Sequence, residues 1–273
     1  MTAPLPATTI LKLDRQGSRL YATIADPSTR NAMTAALVED LWAVLNATEN
    51  DRSLRTLILQ GADGAFCAGA DLKGTNKALD SAPGAGEVDP LEAQNRAGGE
   101  LFAKLNEHPL AVIAVVDGPA FGGGFGMACC ADIVLATPRA RFALSETGLG
   151  IPPAQIAPYV VGRIGLRMAR RLGLAGTRLD GAQAQDIGLV DFYCETADSL
   201  EATLTKVLND IGRCAPGANA VTKRLFLSVG SLSPAAYRDE AARAFAGCLR
   251  GEEGQEGVRA FAEKRPARWV EKI

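Results

Sequence analysis

Three observations predict an α/β fold with a helical C-terminal region. Apolar runs of strand length recur at Leu57-Ile58-Leu59, Ala111–Val116 and Ile133-Val134-Leu135-Ala136, with segments of helical spacing among them. Such alternation stacks helices on a sheet in a layered core. A glycine-rich turn, Phe121-Gly122-Gly123-Gly124-Phe125-Gly126, joins the second run to an apolar stretch, Met127-Ala128-Cys129-Cys130-Ala131, that reads as a buried helix. Beyond Thr196 the strand pattern stops, and Leu200, Leu204, Val207, Leu208 and Ile211 form a helical stripe.

Taken in order, Ile10-Leu11-Lys12-Leu13 and Leu20-Tyr21-Ala22-Thr23-Ile24 make a hairpin around Gln16-Gly17. The Thr34 hydroxyl caps a helix whose Leu37, Leu41, Val44, Leu45 and Thr48 share one face. Residues 55–60 form a strand. Residues 74–90, rich in Gly, Pro, Ala and Asp, read as a mobile loop at the rim of a pocket. A helix over 91–107 ends at His108-Pro109, because the residue before proline avoids the α region. A histidine at that end suits the helix dipole. Short helices follow at 155–161, 166–172 and 182–187, the last after a turn at Asp180-Gly181. Arg163, Arg167, Arg170 and Arg171 recur at helical spacing and read as a solvated or salt-bridged face. Asp198 and Glu201 read as a capping pair, and Pro216 and Pro234 as first-turn prolines. Residues 252–264 make the last helix, with Trp269 anchoring the tail. The division is 1–196 for the α/β core and 197–273 for the helices.

With 273 residues the chain can bury a substantial core. Apolar residues are 47% and aromatics only 5%, so Ala and Gly allow close packing of helices and sheet. A net charge of −2 offers nothing to nucleic acid. No apolar run is long enough to cross a bilayer, and Met1-Thr2-Ala3-Pro4-Leu5-Pro6 lacks the features of a signal peptide. The six cysteines show no CxxC pair and are expected to be reduced, in a cytoplasmic protein. With His108 as the one histidine, neither a zinc site nor a nucleophile triad has its parts. Gly122-Gly123-Gly124-Phe125-Gly126-Met127 lacks the spacing of a dinucleotide turn, and no Gly-Lys-Ser/Thr follows for a P-loop.

Three successive glycines leave no side chain between backbone and ligand. Open N–H groups at a helix start, backed by the dipole, favour negative charge, which is the geometry of an oxyanion hole. Tight helix–strand packing is the plainer reading, and this stretch alone leaves both open. Two further stretches bear on it: Gly64-Ala65-Phe66-Cys67-Ala68-Gly69-Ala70-Asp71-Leu72-Lys73, and residues 140–150 around Leu144-Ser145-Glu146-Thr147-Gly148. In this order and spacing the three resemble the crotonase superfamily of enoyl-CoA hydratases and isomerases. The resemblance covers nearly the whole chain, and Ser28-Thr29-Arg30-Asn31-Ala32-Met33 resembles the superfamily's early signature.

The resemblance implies a crotonase-like spiral of ββα units and a homotrimer or dimer of trimers formed through the C-terminal helices. It implies an acyl-CoA thioester substrate, with coenzyme A part of that substrate and no other cofactor or metal. By resemblance, the amides of Ala70 and Gly123 are the oxyanion hole and Glu146 is the catalytic carboxylate. Arg30, Ala32, Ala68, Asp71 and Leu72 lie along coenzyme A.

The chain departs from the superfamily's hydratase pattern of two glutamates. One matches Glu146; the other falls on Gly126. A lone carboxylate suits an isomerase that shuttles a proton between C2 and C4. It also suits a hydratase in which one group serves both water and Cα. A non-catalytic acyl-CoA binder is the third reading, and Glu146 in its slot argues against it. Residues 122–136, 145–165 and 250–264 resemble the isohexenylglutaconyl-CoA hydratase branch of acyclic terpene breakdown, near the methylglutaconyl-CoA hydratases. That branch carries the same glycine, which favours hydration of a branched 2-enoyl-CoA. Gly126 is expected to leave room for a β-substituent or a longer chain, and to ease ionisation of Glu146 relative to a paired site.

Overall fold

A computed structural model describes residues 4–71, 83 and 89–271. The expected rim loop at 74–90 therefore lies almost wholly outside the described residues. Strands β1 (Leu11–Gln16) and β2 (Arg19–Ile24) form the predicted hairpin, with Gly17 at φ 63° in its turn. Helix α1 (Ala35–Thr48) follows, and the Thr34 hydroxyl accepts from the Leu37 N–H as expected of its cap. Next come β3 (Thr56–Gly61), α2 (Pro90–Asn106), β4 (Ala111–Val116), β5 (Pro119–Phe121) and α3 (Gly123–Cys130). Strands β6 (Ile133–Ala136) and β7 (Arg141–Ala143) lead to a single 3₁₀ turn, Glu146–Leu149. Helix α4 (Ala157–Ala175) breaks at Gly165 (φ 73°, ψ 156°), so it is the two short helices the sequence predicts. Strand β8 (Arg178–Asp180), helix α5 (Gly181–Asp186) and strand β9 (Phe192–Tyr193) complete the core. The end of the chain is helical: α6 (Ala197–Gly212), α7 (Pro216–Leu227), α8 (Pro234–Arg250) and α9 (Glu252–Ala262).

The larger sheet has the order β1-β2-β3-β4-β6-β9 and is parallel except for the β1–β2 hairpin. A smaller sheet, β5-β7-β8, stands apart from it. Strands β3, β4 and β6 read as continuous apolar runs because both faces of the larger sheet are covered. Leu57, Leu59, Val112, Ala114, Val116 and Val134 turn to the main core. Their neighbours Ile58, Ile113, Val115 and Leu135 turn the other way, against Val207 and Leu208 of α6. The predicted α6 stripe thus covers one face of the sheet.

The cap of α6 differs from the expected Asp198–Glu201 pair. Thr196 is the extended N-cap residue, and its side chain and that of Ser199 exchange hydrogen bonds with each other's backbone N–H. Asp198 lies inside the first turn, where its charge favours the positive end of the helix dipole. Of the four arginines, Arg163 pairs with Asp191 at 2.5 Å and donates to the Leu189 carbonyl. Arg167, Arg170 and Arg171 are exposed, as expected of a solvated face.

Polar ties fasten the C-terminal helices to the core. Lys223 of α7 donates to the carbonyls of His108 and Leu110, each at 2.7 Å, and pairs with Asp132 at 2.5 Å. The Arg55 guanidinium donates to the carbonyls of Gly212 and Trp269, and the Trp269 indole donates to Arg213. Phe226, Phe245 and Phe261 nonetheless stand 70–88% exposed on α7, α8 and α9.

His108 follows the end of α2, but the dipole is not what holds it. It is buried, with Nε2 3.1 Å from the Thr48 hydroxyl and 3.2 Å from the Leu45 carbonyl. Burial pushes its pKa down to about 4, so the ring is neutral. A histidine that resists protonation when folded contributes stability that is complete above the unfolded value, near 6.5, and lost as pH falls towards 4. Denaturant melts should show a loss of up to about 3 kcal/mol across that window. His108→Gln should flatten this slope; an unchanged slope in the variant would assign the acid sensitivity to other groups.

Candidate active site

The site assembles where four chain segments meet beside the smaller sheet. Arg30 and Asn31 adopt successive left-handed conformations (φ 56° and 60°), which disfavour side chains by about 1–2 kcal/mol each. Buried hydrogen bonds offset that cost. Asn31 Nδ2 donates to the carbonyls of Ala62 (3.0 Å) and Ala65 (2.7 Å), and its Oδ1 accepts from Asp26 N–H (2.8 Å). The loop so shaped aligns the segment around residues 67–70. Ala68 N–H donates to the Arg30 carbonyl, and Met33 N–H to Gly69.

That segment also borders β5. Cys67 N–H donates to Pro119 and Phe121 N–H to Cys67. A Cβ placed on Gly69 would lie 2.9 Å from the Phe121 carbonyl oxygen and 3.8 Å from Gly122 Cα. The Gly69–Ala70 and Gly122–Gly123 peptides therefore run side by side. Gly122 holds φ 50°, ψ −115°, a conformation for glycine, and caps α3 without any side-chain bond. Among the described residues, the amides of Ala70 and Gly123 donate to no acceptor. Gly123 is the first residue of α3, where the dipole adds to the pull on negative charge.

Glu146 arrives from the fourth segment. Parallel pairing of β5 with β7 and the Gly122 N–H bond to Ala143 place the chain after β7 beside the glycine turn. The 3₁₀ turn closes with Ile151 N–H on the Glu146 carbonyl, and the Thr147 hydroxyl ties it to Gly173 in α4. Glu146 Oε1 is 3.1 Å from the point where Gly122 would carry a Cβ. Its Oε2 is buried without a hydrogen-bond partner among the described residues. Burial raises the Glu146 pKa above the ordinary carboxylate value, against bonds from the Glu146 and Ser145 backbone that lower it. The missing charge at residue 126 does not leave this carboxylate in an ordinary environment, because desolvation remains.

The structure brings Ala70, Gly123 and Glu146 together, with Ala32 and Ala68 on the adjoining loop. Arg30 is exposed at its edge, and Asp71 is half-buried at the point where the described segment ends. Leu72 lies outside the described residues. Cys67, inside the same stretch, is buried, and its thiol is pushed up to about 12, which leaves it unreactive.

One expectation is corrected. Gly126 does not open room for an acyl substituent. A Cβ there would meet the Ile156 side chain, with Ile156 Cβ at 2.9 Å, and Phe102 Cε1 at 3.2 Å. The volume is already filled by apolar side chains from α2 and from the residue that starts α4. Sequence reasoning missed Met33, Phe102 and Ile156, whose side chains pack at Gly123 and Gly126, and no spacing pattern marks them. Only Met33 stands in a recognisable stretch.

Two open backbone amides at a glycine turn, beside a half-buried carboxylate, are what the structure presents at this place. The chain belongs to the enoyl-CoA hydratase/isomerase family, whose model matches residues 14–272. Human mitochondrial methylglutaconyl-CoA hydratase is 31% identical over 247 residues, 88% of this chain and 70% of that protein. Pseudomonas aeruginosa AtuE superposes with a TM-score of 0.91 at 46% identity, over 96% of this chain and 100% of that one. An enoyl-CoA hydratase/isomerase from Marinobacter aquaeolei does so with a TM-score of 0.91 at 44% identity, over 96% and 99%. The expected crotonase-like fold is thus the one the chain adopts.

Proposed function

We propose that this protein is an enoyl-CoA hydratase that adds water to a branched, isohexenylglutaconyl-CoA-like 2-enoyl thioester. The observation that carries the reading is the half-buried Glu146 carboxylate, whose Oε2 is enclosed without a hydrogen-bond partner among the described residues, beside two open backbone amides. In this reading the thioester oxygen accepts from the amides of Ala70 and Gly123, which hold the charge that moves onto it. Ionised Glu146 takes a proton from water as the hydroxyl adds to Cβ. An enolate results, and Glu146 returns the proton to Cα, leaving a 3-hydroxyacyl-CoA and a regenerated carboxylate. Hydration is redox-neutral and calls for no cofactor beyond the coenzyme A of the substrate.

Coenzyme A lies along Arg30, Ala32, Ala68, Asp71 and Leu72 in the same reading. The hydratase names of several relatives support it, methylglutaconyl-CoA hydratase among them. Exposed phenylalanines on α7–α9 support association into a homotrimer or a dimer of trimers, since covering large apolar side chains that otherwise stand in water is favourable. A cytoplasmic location belongs to the same proposal. Among the described residues no helix is long and apolar enough to cross a membrane.

The test uses ¹⁸O-labelled water with straight and branched 2-enoyl-CoAs and with 3-enoyl-CoAs. Label in a 3-hydroxyacyl product is the expected result. Double-bond migration without label across all substrates would make the protein an isomerase, with Glu146 as the proton shuttle.

A further inference from the structure

Residue 126 is where the chain departs from the two-glutamate pattern, and the structure shows what stands there instead. Ile156 and Phe102 are 4% and 5% exposed and close over Gly126 from two different elements. The approach to Ile156 involves its Cβ, so no rotation of the side chain relieves it. The Ile156 backbone is held too, because its carbonyl accepts from the N–H groups of Tyr159 (3.1 Å) and Val160 (3.0 Å). The preceding residue locks the pair together. Gln155 lies flat on Gly99 of α2, and its Nε2 donates to Asn95 Oδ1 at 2.9 Å. Asn95, Gly99 and Phe102 share one face of α2, so the contact that seats Gln155 also sets Phe102 against Ile156.

This apolar wall reaches the oxyanion turn. Phe102 Cζ is 3.7 Å from the place of a Cβ on Gly123, and Met33 Sδ packs at the same place. Met33, Phe102 and Ile156 therefore form one strip past both Gly123 and Gly126. A strip whose one heteroatom is a thioether sulfur, a weak acceptor, binds aliphatic groups and leaves a charged or hydroxylated group without a strong partner.

We propose that Ile156, braced by Phe102, is the specificity-determining residue of this site. Its side chain is the wall against which the aliphatic arm on C3 of the acyl group packs, and its size sets how large that arm is. The inference rests on the reading of the site as one for acyl-CoA thioesters, and not on whether the reaction is hydration or isomerisation.

The experiment compares wild type with Ile156→Ala and Ile156→Val. Two ratios are read for each protein. One is kcat/KM for a 3-alkyl-2-enoyl-CoA with a long alkyl arm over that for crotonyl-CoA. The other is the ratio of Kd values, by calorimetry, for the corresponding saturated acyl-CoAs, which bind without reacting. Ile156→Ala should move both ratios about tenfold or more towards the larger arm, and Ile156→Val should move them less in the same direction. Thermal melts followed by circular dichroism establish that each variant is folded; if Ile156→Ala is not, Ile156→Val decides. Ratios within about twofold of wild type in folded protein overturn the proposal. A shifted Kd ratio with no turnover of any 2-enoyl-CoA by wild type upholds the wall and overturns the hydratase reading alone. Failure of wild type to bind any of the acyl-CoAs overturns both.

Discussion

Glu146→Gln is expected to lower turnover by about 10³-fold, within the range for loss of a positioned acid–base group. Gln keeps the shape of the side chain and cannot take a proton from water. The Kd for a saturated acyl-CoA should stay near that of wild type, because the amides proposed to hold the thioester are backbone groups on other segments. Near-normal turnover would remove Glu146 from the chemistry. The pH profile offers a second check. Burial raises the Glu146 pKa, so the acid limb of kcat/KM should lie above the ordinary glutamate range, with activity falling as pH drops through it. Stability runs in the opposite sense. A raised carboxylate pKa means that the folded state holds its proton more tightly than the unfolded one, so ionisation costs stability as pH rises through that value. Glu146→Gln removes this cost. The variant should therefore melt no lower than wild type at neutral pH while being nearly inactive, which separates lost chemistry from lost folding.

Gly122→Ala is expected to reduce kcat by about 10²–10³-fold, comparable with the loss of an oxyanion donor. The added methyl has two effects at once. It would stand 3.1 Å from Glu146 Oε1, and it requires an L-residue at φ 50°, ψ −115°. Strain of that kind costs about 1–3 kcal/mol and is relieved by turning the 122–123 peptide, which carries the Gly123 amide out of line. Gly148→Ala is the control. It lies in the same 3₁₀ turn as Glu146, with nothing within 4 Å of its Cβ position, and should retain activity. Equal activity of Gly122→Ala and Gly148→Ala would show that the glycine turn is there for packing alone.

Much of the fold was legible because the signals that form it are local. Period-2 alternation assigns Leu57 and Leu59 to one side of the sheet and Ile58 to the other. Thr34, Pro216 and Pro234 mark helix starts by their own chemistry. The capping of α6 was misplaced because Thr, Asp, Ser and Glu within six residues offer several cap pairings, and only backbone geometry selects one. His108 was read from its neighbours in sequence, whereas Thr48 and Leu45 of a different helix determine its charge.

The candidate site divides in the same way. The glycine turn, the Ala70 segment and Glu146 stand in continuous stretches, because an oxyanion hole made of backbone needs small residues in a row. By itself the sequence determined the α/β layering and the stretches that carry Ala70, Gly123 and Glu146, and it showed a glycine where the other glutamate of the hydratase pattern falls. Only the tertiary structure decided what that glycine means. Removing a side chain suggests space, but protein interiors are close-packed, and a gap is filled by whatever neighbour can reach it. Here the neighbours are Phe102 and Ile156, on segments far from residue 126 and from each other along the chain. Their meeting follows from the packing of α2 and the start of α4 over α3, and complementary volume between distant segments leaves no periodic trace in a single sequence.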